Sequence, residues 1–143
     1  QIQLAKAALY AGVKLLMDKI GIDRIDRIRL AGAFGSHINV KHAMVLGLIP
    51  DCALDQVSSA GNAAGTGARI ALLNNQSRGT IEALVTNIEK IETAMEPKFQ
   101  QYFVDAMAFP NKTDPFPNLF SVVEKPVEKV VVEVPGTRKR RRK

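Results

Sequence analysis

The sequence predicts an α/β fold in which helices pack against a layered sheet. Three observations carry this prediction. The chain opens with a long stretch of helical periodicity, a short alternating stretch follows it, and two glycine clusters separate the later helical segments. Alternating strand and helix patterns are typical of α/β architectures. At 143 residues the chain has the length of one domain.

The first element is a helix over residues 2–20, with Gly21 as its C-cap. Apolar residues recur at three- and four-residue spacing, which predicts one buried face made by Ile2, Ala5, Leu9, Val13, Leu16 and Ile20. The alternation over residues 25–30 then predicts a strand. We expect its last residues, Leu30 and Ala31, to be buried before a turn at Gly32.

The middle of the chain contains two predicted helix caps. Asn39 is expected to cap a short helix that ends at Gly47. A brief strand over residues 54–57 and a turn over 59–62 are expected next. Asn62 would cap a helix of small residues over 63–73. Three alanines on one face would let this helix lie close against the sheet: Ala64, Ala68 and Ala71.

The last third is predicted to hold two further helices. A loop over residues 77–79 precedes a helix with Thr80 as N-cap and an apolar face of Ile81, Leu84, Val85 and Ile88. A short strand is expected to end the stretch 88–93. Pro97 suits the first turn of a helix through Met107 with Phe99 and Phe103 on its buried face.

Proline density beyond residue 110 predicts a domain boundary. We expect a folded domain over residues 1–110. Residues 111–143 would form a Pro-rich linker, an edge strand over 127–134 and a basic tail.

The two glycine clusters are the strongest candidates for a binding site. One is the turn Gly32-Ala33-Phe34-Gly35-Ser36, and the other begins at Gly61-Asn62. Because glycine lacks a Cβ, main-chain N–H groups can approach a ligand there, and a strand–turn–helix glycine segment is a common way to hold a nucleotide. The same glycines are also explained by a tight turn and close helix packing alone, so spacing leaves both interpretations open.

The charge distribution argues against a nucleic-acid-binding body. The net charge is +6, but six of the 20 basic residues lie at 138–143, and the remaining chain has equal numbers of basic and acidic residues. Such a tail is either solvated or attracted to phosphate backbones in a salt-dependent way. No apolar run approaches the ~20 residues that span a bilayer, so we expect no membrane association.

The cysteine count and the start of the chain bear on its setting. A single cysteine, Cys52, permits no internal disulfide and no iron–sulfur cluster, and favours a cytoplasmic location. The chain opens in a helical pattern without a Met or a signal-peptide layout, so we expect a fragment of a longer chain.

Catalytic and metal-binding patterns are lacking, so we assign no catalytic or metal residue and expect no catalysis from the fragment alone. Nucleotide hydrolysis needs metal-binding carboxylates and a residue that positions water. Five side chains are given ordinary roles instead. Asp51 and Asp55 are taken as loop carboxylates, His37 as a turn residue, Cys52 as a small buried residue, and Lys6 as a solvated lysine, with the alternative that it faces a cleft. His42 is five residues from His37, a spacing that does not share a helix face.

Several blocks of sequence resemble one family in the family's order. They are Gln3-Leu4-Ala5-Lys6-Ala7-Ala8, Leu30-Ala31-Gly32-Ala33-Phe34-Gly35, Gly47-Leu48-Ile49-Pro50, Gly61-Asn62-Ala63-Ala64-Gly65-Thr66-Gly67-Ala68, Phe99-Gln100-Gln101-Tyr102-Phe103-Val104 and Ala108-Phe109-Pro110. The stretch from Ile2 to Pro110 is similar to the C-terminal domain of the reductive activators of corrinoid proteins. These proteins belong to the actin, sugar-kinase and heat-shock ATPase (ASKHA) superfamily.

The resemblance implies a fold, a reaction and cofactors. This chain would form the second half of an actin-like nucleotide-binding fold and the adenosine side of its cleft. The residues implied at the nucleotide are Gly32, Ala33, Phe34, Gly35, Ser36, Gly61 and Asn62. A [2Fe–2S] cluster would lie in an N-terminal part outside this chain. ATP with Mg²⁺ would then drive reduction of a Co(II) corrinoid to Co(I).

The resemblance also implies partners, and alternatives to the ATPase function stay open. The implied partners are the corrinoid protein of a methyltransferase system, the N-terminal half of the same polypeptide, and a second copy in a dimer. A non-catalytic docking module for the corrinoid protein is the first alternative. A nucleic-acid binder that acts through the basic tail is the second.

Overall fold

The computed structural model describes residues 1–109 and 111–125. Their order of helices and strands is α1 Ile2–Ile20, β1 Ile28–Ala31, α2 Gly32–His37, α3 Val40–Val45, β2 Val57–Gly61, α4 Ala63–Leu73, α5 Asn75–Val85, α6 Phe99–Asp105 and α7 Pro117–Phe120. Single 3₁₀ turns cover Leu54–Gln56 and Thr93–Met95. The predicted α/β class is confirmed. The predicted edge strand at 127–134 and the basic tail lie outside the described residues.

The sheet formed by the described residues consists of β1 and β2 paired in parallel. The connection between them contains α2 and α3, as a parallel crossover requires. α2 packs against both strands, and Ile28 and Leu30 reach the hydrophobic core from β1. The sheet is therefore covered by helix on one face.

The core lies where α1, α3, α6 and α7 meet. α1 packs most extensively against α6, and α3 contacts α7. The buried cluster joins residues from the whole described chain: Ala7, Tyr10, Ala43, Met44, Ile49, Cys52, Val57, Ala106, Phe116 and Leu119. Tyr10 stacks on Phe116 with ring centroids 6.1 Å apart and donates a 2.5 Å hydrogen bond to Asp114 Oδ2. Burial, followed by this hydrogen bond, raises the pKa of the Tyr10 phenol above its ordinary range.

Local caps follow the predictions from the sequence. Gly21 ends α1 with φ 69°. The side chain of Asn39 accepts a hydrogen bond from His42 N at 3.0 Å, and that of Asn62 accepts one from Gly65 N at 2.9 Å. These signals act within four residues, so the sequence alone can specify them.

The predicted buried face of α1 is wrong. Ile2, Leu9, Leu16 and Ile20 are exposed, whereas the buried residues are Lys6, Ala7, Tyr10, Ala11, Leu15 and Met17. Ala7 and Ala11 are small enough for neighbouring segments of the same chain to pack closely against α1. Periodicity identifies an apolar face of α1, but it does not show which face of the helix the other described residues pack against.

Several predicted boundaries also change. β1 is shorter than expected, Leu30 is only partly buried, and Ala31 is exposed. Residues 54–56 form a 3₁₀ turn rather than a strand, and Ser59 belongs to β2 rather than to a turn. The predicted strand within 88–93 is replaced by coil before the second 3₁₀ turn.

The helices after β2 differ as well. The predicted loop at 77–79 lies inside α5, because Asn74 accepts hydrogen bonds from Gln76 N and Ser77 N and starts the helix early. Thr80 is therefore not the N-cap. α4 packs against α5 and has no buried residue, so its alanine face does not lie on the sheet.

Residues 111–125, which fall in the predicted linker, supply part of the core. Phe116 and Leu119 are buried there. Asp51 anchors this segment: its Oδ2 accepts hydrogen bonds from Asn118 N and Nδ2, both at 2.9 Å, and its Oδ1 accepts one from Leu119 N at 3.0 Å. Asp51 is thus a tertiary cap for α7 rather than an ordinary loop carboxylate.

Leu119→Ala tests whether this segment belongs to the folded domain. Leu119 is 0% exposed, so we expect the substitution to lower the free energy of unfolding. A loss of about 2–5 kcal/mol is typical of a buried leucine. Urea denaturation measures it. Val122→Ala, at a side chain that is 67% exposed, is the matched control and should change stability by about 0.5 kcal/mol or less. Equal effects of the two alanines would contradict the packing described here.

Candidate functional site

The two glycine clusters lie side by side at one edge of the sheet. Ile28 pairs with Val57 and Ala31 pairs with Gly61 in the parallel ladder. Parallel strands have their carboxyl ends at the same edge, and Gly32 and Asn62 directly follow those ends. The register shift between Leu30 and Ala31 brings Gly61 opposite Ala31. Parallel pairing therefore turns two segments about thirty residues apart into one candidate site.

Both turns are open toward their surroundings. Gly32 has φ 89° and Gly61 has φ 60°, a conformation that side chains other than glycine rarely adopt. A Cβ placed on either residue would meet no atom within 4 Å beyond its immediate neighbours. The bend after β1 is therefore not filled by bulky neighbouring side chains.

A chain of three hydrogen bonds runs through the two turns, and one of them, between Ser59 and Ser36, joins the turns to each other. Ser36 Oγ donates to the carbonyl of Gly32 at 3.0 Å. Ser59 Oγ donates to Ser36 Oγ at 3.4 Å, and Gly61 N donates to Ser59 Oγ at 3.1 Å. Ser59 is a site residue that the sequence analysis missed, because its segment was predicted to be a turn. Its hydroxyl links α2 to the end of β2.

Gly35 has a packing role that differs from that of Gly32. A Cβ on Gly35 would lie 2.8 Å from the carbonyl carbon of Leu30 and 2.9 Å from Leu30 Cβ. Atoms cannot approach so closely, and one of them is backbone. Gly35 thus lets α2 fold back tightly onto β1, which agrees with the tight-turn interpretation that the sequence left open for this cluster.

Phe34 and Ala33 project away from the protein. Phe34 is 72% exposed although it is the largest side chain in the turn. Ala33 is exposed beside it. An aromatic ring held on the short helix α2 at a sheet edge offers a flat apolar surface to a ligand.

Asn62 borders a cavity at the start of α4. The cavity has a volume of about 420 Å³ and is lined by Asn62, Gly65, Thr66 and Arg69. The Asn62 side chain is held by its cap to Gly65, and Arg69 donates to Thr66 Oγ1 at 3.4 Å. The guanidinium gives this side of the site a positive charge.

Lys6 lies away from this edge, and its predicted exposure is wrong. The side chain is 1% exposed, and Nζ donates to the carbonyl of Ala108 at 2.6 Å. Nζ also lies 4.6 Å from the ring centroid of Phe109. Desolvation by burial lowers the pKa of Lys6. The lysine thus fastens α1 to the residues after α6.

The remaining candidates do not form a reactive cluster. Cys52 is buried as predicted, and burial raises the pKa of its thiol. His37 ends α2 rather than forming a turn, and His42 lies in α3. Over residues 1–109 and 111–125, no group of three or more His, Cys, Asp or Glu side chains is placed to hold a metal ion. In the same residues, no helix is both long and apolar enough to cross a membrane.

Comparisons with known proteins find relatives of one kind. A family model described as the C-terminal domain of RACo, the ASKHA domain, matches residues 1–120. The corrinoid activation enzyme RamQ of Eubacterium limosum is 41% identical over 109 residues, which are 74% of this chain and 18% of RamQ. A solved reductive activator for corrinoid, iron-sulfur protein has a TM-score of 0.70 at 32% identity, covering 77% of this chain and 18% of that one. The chain thus spans about a fifth of these relatives.

Two glycine-to-alanine substitutions test whether Gly35 is needed for close packing. One is at Gly35, and the other is at a helical glycine with open space around it, Gly67. Gly35→Ala forces a clash with the Leu30 backbone, so we expect a loss of stability of about 1–3 kcal/mol. Gly67→Ala, in α4 with open space around its Cβ position, should instead stabilise by about 0.4–1 kcal/mol. Thermal denaturation of both variants measures the difference. Effects of the same sign would contradict the packing of α2 on β1.

Proposed function

The chain belongs to the family of RACo C-terminal ASKHA domains, and on that premise we propose that it supplies the adenosine side of the nucleotide cleft in an ATP-dependent reductive activator of corrinoid proteins. The whole protein would reduce an inactive Co(II) corrinoid to the Co(I) form. Its protein partner would be the corrinoid protein of a methyltransferase system.

The observation that carries the proposal is the shared edge of β1 and β2. Gly32 directly follows β1, and Gly61 ends the adjacent parallel strand β2. Both have positive φ, and the space at both Cβ positions is open. Ligands of open parallel sheets bind outside the carboxyl ends of the strands. A purine and ribose could approach the main chain there without displacing a side chain.

Each predicted residue then has a distinct role in the proposal. The Phe34 ring would stack on the adenine, and Gly32 and Ala33 would contact the nucleoside through the main chain. Ser36 and Ser59 offer hydroxyls at the same edge, and Gly61 and Asn62 would line the opposite side. Gly35 would act indirectly by holding α2 against β1.

The described residues fit the nucleoside better than the metal-bound phosphates. The candidate edge offers glycines, hydroxyls and an aromatic ring, and no cluster of metal-binding side chains exists in residues 1–109 and 111–125. We therefore assign the Mg²⁺ ligands and the residue that positions water to other parts of the whole protein.

The redox centre would likewise lie in another part of the whole protein. Cys52 is buried, and it is the single cysteine of this sequence, so the chain cannot provide the thiolates of a [2Fe–2S] cluster. Cysteines in another part of the whole protein would hold a cluster that could supply the electron for the corrinoid, and ATP would supply the free energy for an unfavourable reduction. This domain contributes by binding and orienting the nucleotide.

Phe34→Ala in the whole protein tests the assignment of the nucleotide site. Stacking of a base on an aromatic ring contributes about 1–3 kcal/mol. Calorimetry with a non-hydrolysable ATP analogue and Mg²⁺ should therefore show binding weakened about 5- to 150-fold. Because Phe34 is largely exposed, the substitution should leave folding intact.

Met95→Ala is the matched control, since Met95 is 81% exposed and lies outside the candidate edge. The affinity of the Met95→Ala protein for the ATP analogue should equal that of the wild type. Equal affinity of the Phe34→Ala protein would remove Phe34 from the site. No saturable heat from the wild type would reject the nucleotide-binding function altogether and favour the docking module.

A further inference from the structure

A cavity of about 320 Å³ lies between α1 and the segment that leads into α7. Its walls come from α1, from the loop that follows α1, and from residues 50–51 and 114–118. None of these residues belongs to the glycine turns at the ends of β1 and β2. Cavities of a few hundred cubic ångströms are typical of small-molecule sites. The cavity is therefore a candidate for a second binding site.

The walls of this cavity are largely apolar. They include two aromatic rings, a methionine, an isoleucine and two prolines: Tyr10, Phe116, Met17, Ile25, Pro50 and Pro115. The two rings are stacked on each other, and both residues are almost fully buried. Packed rings and prolines have few alternative conformations. The cavity thus offers a flat apolar body a rigid surface.

Contacts between distant parts of the chain hold the walls in place. Tyr10 donates to Asp114 Oδ2, and Lys14 Nζ donates to Asp114 Oδ1 at 3.3 Å. On the other side, Asp51 accepts from the main chain and the side chain of Asn118. These hydrogen bonds join residues that are 67 to 104 positions apart in the sequence. The cavity is therefore formed before any ligand enters it.

One wall of the cavity contains a strained residue. Phe116 has φ 49° and ψ 55°, and it is the one non-glycine residue with positive φ in residues 1–109 and 111–125. A bulky side chain rarely adopts this conformation, and the following Pro117 restricts the backbone of Phe116 further. The ring stack with Tyr10 keeps the residue in place. Backbone strain of this kind concentrates at binding and active sites.

The hydrogen-bonding capacity that is open to a ligand belongs to a donor. Both carboxylate oxygens of Asp114 and both of Asp51 already accept hydrogen bonds. A lysine ammonium has three N–H groups. Within the described part of the chain, Lys14 Nζ donates to Asp114 Oδ1 alone, which leaves two N–H groups for an acceptor in the cavity.

The charges around the cavity disfavour an ionic ligand. Two carboxylates, Asp51 and Asp114, accompany the one ammonium of Lys14, while Asp23 and Arg24 at the rim have opposite charges. The resulting excess of negative charge repels an anion. The Lys14 ammonium, which is the polar group with open capacity, repels a cation. An uncharged hydrogen-bond acceptor suits both conditions.

We propose that this cavity binds a small uncharged organic molecule with a flat apolar body and a carbonyl or ether oxygen that accepts a hydrogen bond from Lys14 Nζ. The apolar body would lie against the Tyr10 and Phe116 rings. The inference goes beyond the proposed nucleotide function, because it concerns different residues and does not require nucleotide binding.

Titration of the whole protein with four single-ring probes tests this inference. The probes are acetophenone, benzoate, benzylamine and ethylbenzene, which are a neutral acceptor, an anion, a cation and a hydrocarbon. With ¹³C-labelled methionine methyl groups, the Met17 signal reports on the cavity, and Met95, which is 81% exposed outside it, is the reference. Acetophenone should shift the Met17 signal saturably and bind about tenfold or more tightly than the other probes.

Three other outcomes of this titration would overturn the proposal. Tighter binding of benzoate or benzylamine would show that the cavity takes a charged ligand. Ethylbenzene binding as tight as that of acetophenone would show that no acceptor is recognised. A Met17 signal that shifts with none of the probes would show that the cavity is closed to small molecules in the whole protein.

Lys14→Met and Lys98→Met provide a matched pair in the same titration. Each lysine forms an ion pair with an aspartate, but only Lys14 lines the cavity. Lys14→Met should weaken acetophenone binding by about tenfold without weakening ethylbenzene binding, a split that damage to the fold would not produce. Lys98→Met should change neither affinity. Equal losses for both probes in Lys14→Met, or no loss, would contradict the assigned role of Lys14.

Saturating ADP separates this site from the nucleotide edge. It should leave the acetophenone affinity unchanged, because the two sites share no residue. Displacement of acetophenone by ADP would place the probe at the nucleotide edge and overturn the proposal. A protein that binds acetophenone and not ADP would contradict only the proposed nucleotide function.

Discussion

The parallel pairing of β1 with β2 is the constraint on which the candidate site depends. It places the ends of both strands at one edge, so that Gly32 and Gly61 become neighbours although they are distant in the sequence. Side chains alternate across a strand, and a slip of one residue would turn Ile28 and Leu30 out of the core. It would also separate Ser59 from Ser36, whose hydroxyls join the two turns. Core packing on one face of the sheet thus fixes the geometry of the edge.

The sequence predicts most accurately those features whose cause is local. Gly21, Asn39 and Asn62 each end or begin a helix through contacts within a few residues. The turn from β1 into α2 at Gly32 likewise depends on residues close to it in the sequence. Ser77 to Gly79 illustrate the limit, because turn-forming residues enter a helix once Asn74 has capped it upstream.

Features that depend on distant partners could not be predicted in this way. Asp51 accepts hydrogen bonds from residues 67 and 68 positions later in the sequence. The buried Lys6 side chain donates a hydrogen bond to a carbonyl 102 positions away. The apolar face of α1 was identified correctly as apolar but not as exposed. Both this face and the α4–α5 hairpin are exposed among the described residues. Periodicity identifies an apolar face and carries no information about what packs against it.

The central claim is that Gly32 and Gly61 belong to one nucleotide-binding edge, with Gly35 holding α2 in place beside it. Selective ¹⁵N labelling of glycine in the whole protein, followed by addition of ADP and Mg²⁺, tests it most directly. Gly21 and Gly47 also have positive φ but lie elsewhere, so they serve as internal references. We expect the amide signals of Gly32, Gly35 and Gly61 to shift together along one saturation curve while those of Gly21 and Gly47 stay in place. Shifts confined to one of the two clusters, or to the reference glycines, would contradict it.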